Sequence, residues 1–206
     1  MAANIDENVH ATIIQTFFHT HVRNSKLINV LSAKRQTAKW RTAQIWYNTG
    51  KSNECEIYQL KKLSKILDKR AISTKTNLRM NILTYEIKMV KNPLKQLDGF
   101  DWTEDFDGIA KKDGKTIYIN LKFVCGAGGA QTRSLREVYH FIICQINHIK
   151  KFNDKHTYFI NILDGDESSK HMQKYINLIN LLLPNNNHIF CGCMFEFQKY
   201  WILINR

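Results

Sequence analysis

Apolar residues change their spacing near residue 100 of this chain. Before it they recur mostly at helical intervals. Residues 12–18 begin one candidate helix, and Leu27, Val30, Leu31, Ala38 and Ile45 follow a helical period up to Asn48-Thr49-Gly50. Residues 54–69 place Ile57, Leu60, Leu63, Ile66 and Leu67 on one stripe and predict a strong helix. Residues 78–90, with Met80, Leu83, Ile87 and Val90 inward, predict another, closed by Asn92-Pro93. Beyond residue 100 the pattern is mixed. A strand at 106–111 pairs through the Lys112-Asp113-Gly114-Lys115 turn with a β-branched strand at 116–124. A helix over 131–152 follows, with Leu135, Val138, Tyr139, Ile142, Ile146 and Ile149 on its apolar face. Then come a strand at 156–163, a helix at 168–183 stopped by Pro184, a strand at 188–197 and a further strand at 200–204. The order predicts an α/β (α+β) fold, with a central mixed sheet covered by helices and a helical N-terminal part. Residues 1–76 read as a basic helical region and 77–206 as the core, together one compact unit.

Composition narrows the class. The chain has 206 residues, 44% of them hydrophobic and 23% charged, enough for a full core. No basic segment with a long apolar run opens it, and no apolar run approaches a membrane span. Five cysteines without framework spacing fit a reducing compartment. The expectation is a soluble cytoplasmic protein with no membrane partner.

Charge adds a partner. The net charge is +12, and residues 1–100 carry 17 Lys/Arg against 7 Asp/Glu. No acid occurs between Glu7 and Glu54, a stretch that holds Lys34, Arg35, Lys39 and Arg41 interleaved with Trp40, Trp46 and Tyr47. Such a surface attracts phosphate backbones and releases their counterions.

Candidate chemistry sits on the 106–124 hairpin. Asp107 stands at one end of it, and Asn120-Leu121-Lys122 follows thirteen residues later. A carboxylate and a lysine converging on a sheet edge suit a metal-dependent phosphodiesterase: the acid holds a divalent cation, and the lysine positions the attacking water. A lysine between Leu121 and Phe123 in a core-like strand rarely lacks a reason. Asp105 has the same parity as Asp107, whereas Asp101 and Glu104 read as solvated loop.

The element order with this Asp and Lys resembles the PD-(D/E)xK nuclease superfamily, particularly type II restriction endonucleases, over residues 77–197. The resemblance implies a restriction-endonuclease-like sheet, with Asp107 as metal ligand and Lys122 as the lysine. Asn120 stands where the family usually has Glu or Asp. Some such enzymes carry the missing acid on the helix after the lysine strand, and Glu137 lies fifteen residues beyond Lys122. The resemblance therefore gives Asp107, Lys122 and Glu137 as the catalytic set, with Asp107, Glu137 and Asp105 as metal ligands. A competing reading of Glu137 is a capping box, Ser134-Leu135-Arg136-Glu137. Glu86 resembles the early acid of some family members.

The loop Gly126-Ala127-Gly128-Gly129 lacks the ending of a P-loop. It reads instead as a close approach for DNA, with Gln131, Thr132, Arg133 and Arg136 facing phosphates or base edges. His19-Thr20-His21 and Cys191-Gly192-Cys193 are too closely spaced for a normal zinc site.

The resemblance implies an endonuclease that hydrolyses double-stranded DNA at a specific sequence with Mg²⁺, Mn²⁺ substituting. It also implies a homodimer and a cognate DNA methyltransferase that is not physically bound. Two alternatives stay open: a structure-specific repair or recombination nuclease, and a DNA-binding protein with an inactivated core.

Overall fold

The computed structural model describes residues 33–47, 53–67, 76–95 and 99–204. The helix predicted over 12–18, the His19-Thr20-His21 cluster and the first part of the next predicted helix lie outside them. Helix α1 (Ala38–Thr42) follows a 3-10 turn, and its N-cap Thr37 accepts a hydrogen bond from Trp40 N–H. Helix α2 (Glu54–Ile66) forms as the apolar stripe predicts, with Leu60 and Leu63 buried but Ile57 exposed.

The predicted helix over 78–90 is a hairpin instead. Strand β1 (Leu78–Met80) pairs antiparallel with β2 (Ile87–Met89). The side chain of Asn81 accepts from the N–H groups of Leu83 and Thr84, and Tyr85 takes φ 59°, so the chain turns where the periodicity continues.

The central sheet has the order β3-β4-β5-β6. Strand β3 (Gly108–Lys112) pairs antiparallel with β4 (Lys115–Phe123) through a turn with Asp113 and Gly114 at positive φ. Helix α3 (Gly129–Phe152) crosses to β5 (Thr157–Asp164), parallel to β4, and helix α4 (Asp166–Leu182) leads to β6 (Ile189–Gly192), parallel to β5. The last predicted strands are corrected. Gly192 ends β6, Glu196 accepts from Cys193 N–H as a cap, and helix α5 (Met194–Ile204) replaces the strand at 200–204.

Helices cover both faces. Alternation along β4 sends Ile117, Ile119 and Leu121 to one face, where Leu60 and Leu63 of α2 and Phe197 of α5 meet them. The other face packs against α3 and α4 through Phe106, Phe141, Ile142, Phe159 and Ile176. Helix α2, the longest described element of the basic N-terminal part, is thus a covering layer of the same sheet. Strand β5 is buried on both sides, as a parallel central strand should be. Among the described residues, no helix is long and apolar enough to cross a membrane.

Polar residues inside the α3 face form one closed network. Gln145 and Asn161 exchange hydrogen bonds of 3.0 and 2.8 Å, and Asn161 Nδ2 also donates to the Phe190 carbonyl. Asn120 Nδ2 donates to Asn161 Oδ1. These buried amides pair with one another.

Candidate active site

The hairpin positions Asp107. Phe106 is fully buried against Tyr118, Phe141 and Phe159, and its N–H donates to the Leu78 carbonyl. Asp107 N–H donates to Ile119 O, while Leu121 N–H donates to the Asp107 carboxylate at 2.6 Å. The side chain is thus pinned to the end of β4. Burial pushes its pKa up to about 7, against the Leu121 N–H, and the charge of Glu56 adds to the rise.

Lys122 emerges near the end of β4, where its carbonyl accepts from Gln59 of α2. Its Nζ donates to Glu104 Oε2 at 2.5 Å. Burial disfavours the charge, but Glu104, followed by Asp107 and Glu137, outweighs it and holds the ammonium above its usual value. Glu104 responds in kind: the cost of burial is overcome by the charge and hydrogen bond of Lys122, and its acidity is strengthened.

Glu137 reaches this cluster from α3. It shares a hydrogen bond with Glu104, and burial together with the Glu104 charge makes it hold its proton above the usual carboxylate range. Of the pair, Glu104 is the stronger acid and Glu137 the weaker. The capping-box reading is excluded, because the N-cap of α3 is Gly128 and Ser134 lies well inside the helix.

Two acids that the sequence did not single out for the site join it. Glu104, read as solvated loop, is the direct partner of Lys122. Glu56, in the first turn of α2, is raised by burial, and the charges of Lys122 and Glu104 act on it. An acid in a first helical turn looks like ordinary dipole compensation, so only the fold reveals Glu56.

Asp105 stands apart. Residues before Gly108 are not strand, and Arg79 holds Asp105 at 3.1 Å while also donating to the Thr103 and Val90 carbonyls. Glu86 lies exposed on the hairpin turn, paired with Lys88. Asn120 is 3% exposed and is held by the buried amide network. A carboxylate there would face the Asn161 Oδ1, whose own amide nitrogen is already committed to Gln145 and Phe190. Asparagine therefore fits this position where an acid would not.

The basic residues gather near the same strand end. Trp40 of α1 stacks on Phe123, next to Lys122 in sequence, at 6.3 Å between ring centres. Gln36 anchors the segment through Gly165 N–H and the Cys125 thiol. Lys34, Arg35 and Lys39 are exposed, while the Arg41 guanidinium lies 5.1 Å from the Tyr47 ring centre. Thr132, Arg133 and Arg136 are exposed on the first turns of α3, and Gln131 is half-exposed beside them.

A cleft of about 450 Å³ opens beside the cluster. Glu104, Lys122, Glu137 and Asn120 line its polar side, and Tyr85, Trp102, His140 and Phe141 its aromatic side. The carboxylates supply the hard oxygen donors that Mg²⁺ prefers, and a cation would stabilise the charged form of a carboxyl whose pKa burial has raised. Among the described residues, no three His, Cys, Asp or Glu side chains are already gathered to ligand spacing. Glu104 is occupied by Lys122, and Asp107 and Glu137 each lie close enough to the Lys122 ammonium to act on its charge.

No family model, no curated protein and no solved structure matches this chain.

Proposed function

We propose that this chain is a Mg²⁺-dependent DNA endonuclease with a PD-(D/E)xK-like core. The observation that carries the reading is that Asp107 and Glu137 both act on Lys122 at the end of β4, with Glu104 bonded to that lysine. Three elements, the loop before β3, strand β4 and helix α3, bring these groups to the same strand end, and each group is perturbed or charge-paired, as catalytic groups are.

In this reading, Asp107 and Glu137 would hold Mg²⁺, which when bound would supply Lewis-acid stabilisation of charge on the scissile phosphate. Lys122 orients the attacking water with its ammonium and balances the developing charge. The water oxygen attacks phosphorus, the P–O3′ bond breaks, and the products carry a 5′-phosphate and a 3′-hydroxyl. Lys34, Arg35 and Lys39, with Arg133 and Arg136, contact the DNA backbone on either side of the cluster. Sequence-specific cutting by a homodimer is the restriction-type form of this reading.

The rival from another class is a DNA-binding protein with an inactive core, and it rests on Asn120. Incubating the full-length protein with supercoiled plasmid and Mg²⁺ separates the readings. Discrete linear bands support restriction-type cutting, nicking confined to irregular DNA supports a structure-specific nuclease, and intact plasmid bound in a salt-sensitive complex supports the inactive core.

A further inference from the structure

We infer that the cleft beside the cluster binds an unpaired nucleobase of the DNA, which rests on the nuclease reading and narrows its substrate. At about 450 Å³ the cleft can hold a base with its sugar but not a base pair inside a duplex. Its walls are aromatic. Tyr85, Trp102, His140 and Phe141 line it, and flat rings of this kind stack on any base.

Among the polar residues that line it, Asn120 is the buried one. Asn120 is 3% exposed, lines the cleft, and spends its Nδ2 on Asn161 Oδ1. Its Oδ1 is thereby left to accept a hydrogen bond from an amino or imino group of a base. The same asparagine that departs from the acid pattern thus supplies a fixed acceptor inside the cleft.

The walls are held rigid. His148 Nδ1 bonds the Tyr85 carbonyl at 2.7 Å, and Asn81 bridges to the Trp102 backbone. The cleft is also continuous with the cluster, since Lys122 and Glu137 line its mouth. A nucleotide whose base enters the cleft would present its phosphate to Lys122. The substrate is therefore DNA with an unpaired or extruded base next to the bond that is cut.

The test uses full-length protein in EDTA, so that binding is read without cleavage. The probes are a 12-nucleotide single strand containing 2-aminopurine and the same sequence as a blunt duplex. Wild-type protein should quench the 2-aminopurine of the single strand through stacking. Trp102→Ala and His140→Ala should each weaken single-strand binding about tenfold or more, leaving duplex binding within about twofold, and Trp102→Phe should restore part of the loss. His140 is exposed, so His140→Ala carries the result if Trp102→Ala fails to fold. Unquenched 2-aminopurine, or single-strand binding unchanged in both variants, overturns the assignment. Quenching that depends on Trp102 in a protein that cuts no DNA with Mg²⁺ sinks the nuclease reading and leaves the cleft assignment standing. Efficient cutting indifferent to Trp102 and His140 does the reverse.

Discussion

Glu137 of α3 and Glu104 of the loop before β3 share a hydrogen bond, with Lys122 bonded to the second of them. The charge and hydrogen bond of Glu104 raise the pKa of Glu137, while the Lys122 ammonium lowers that of Glu104. The pairing ties α3 to the strand end and gives Glu137 a place in the site.

The first prediction concerns that place. Glu137→Gln should lower Mg²⁺-dependent cleavage by at least about 10–100-fold. Stability should change little, because Gln still donates to Glu104 and the Lys122–Glu104 pair is untouched. Ser134→Ala should shift stability by less than about 0.5 kcal/mol, since Ser134 caps nothing. Denaturant melts and a cleavage time course read both.

Asp107 predicts a pH dependence of stability in metal-free protein. Its native pKa of about 7 lies above the unfolded value. Below about pH 4 both states hold the proton and the residue has no effect. Between about 4 and 7 only the native state holds it, so stability falls as pH rises, and above 7 the whole cost is present. Asp107→Asn keeps an acceptor for Leu121 N–H and removes the cost. It should be more stable than wild type at pH 8 by on the order of 3 kcal/mol, with the gap closing toward pH 4. A gap that widens toward acid would contradict the buried-acid account.

Lys122→Met keeps the aliphatic stem and removes the charge. Cleavage should fall by at least about 100-fold with duplex binding within about twofold. Glu104 is half-exposed, so the lost ion pair should cost less than about 1 kcal/mol. A variant that cuts normally but melts early would mark a structural lysine.

Asn120→Asp tests why an asparagine stands in this strand. The new carboxylate would face Asn161 Oδ1 inside a closed network. Destabilisation of about 1–3 kcal/mol at pH 8, with no gain in cleavage, is expected. Enhanced activity would mean that the position is a degraded acid site.

The pattern of the chain carried much of the architecture. Strand β4, helix α3 and their spacing were legible because Ile117, Ile119 and Leu121 alternate and Leu135, Val138, Ile142 and Ile146 recur on one face. The 78–90 segment was misread because Met80 and Ile87 fit a helix and a hairpin equally, and Asn81 decides the matter by bonding its own following backbone. Leu83, expected inward, is exposed, and so is Tyr139 on α3. Asp107 and Lys122 were picked from type and spacing and Glu137 from the resemblance, and the fold brings both acids close to the Lys122 charge. Glu104 and Glu56 were not legible, because a loop acid and a first-turn acid look like solvent-facing charges until a lysine from another element is brought to them. Asp105 has the right parity for a strand, but the strand starts later and Arg79 takes it.

The most direct test of the central claim is cleavage of supercoiled plasmid by purified full-length protein with Mg²⁺, beside Asp107→Asn and Glu137→Gln. The account predicts Mg²⁺-dependent cutting by the wild type, abolished by EDTA and lost or sharply reduced in both variants. Intact plasmid with wild-type protein that binds DNA, or cutting at full rate by Glu137→Gln, would contradict it.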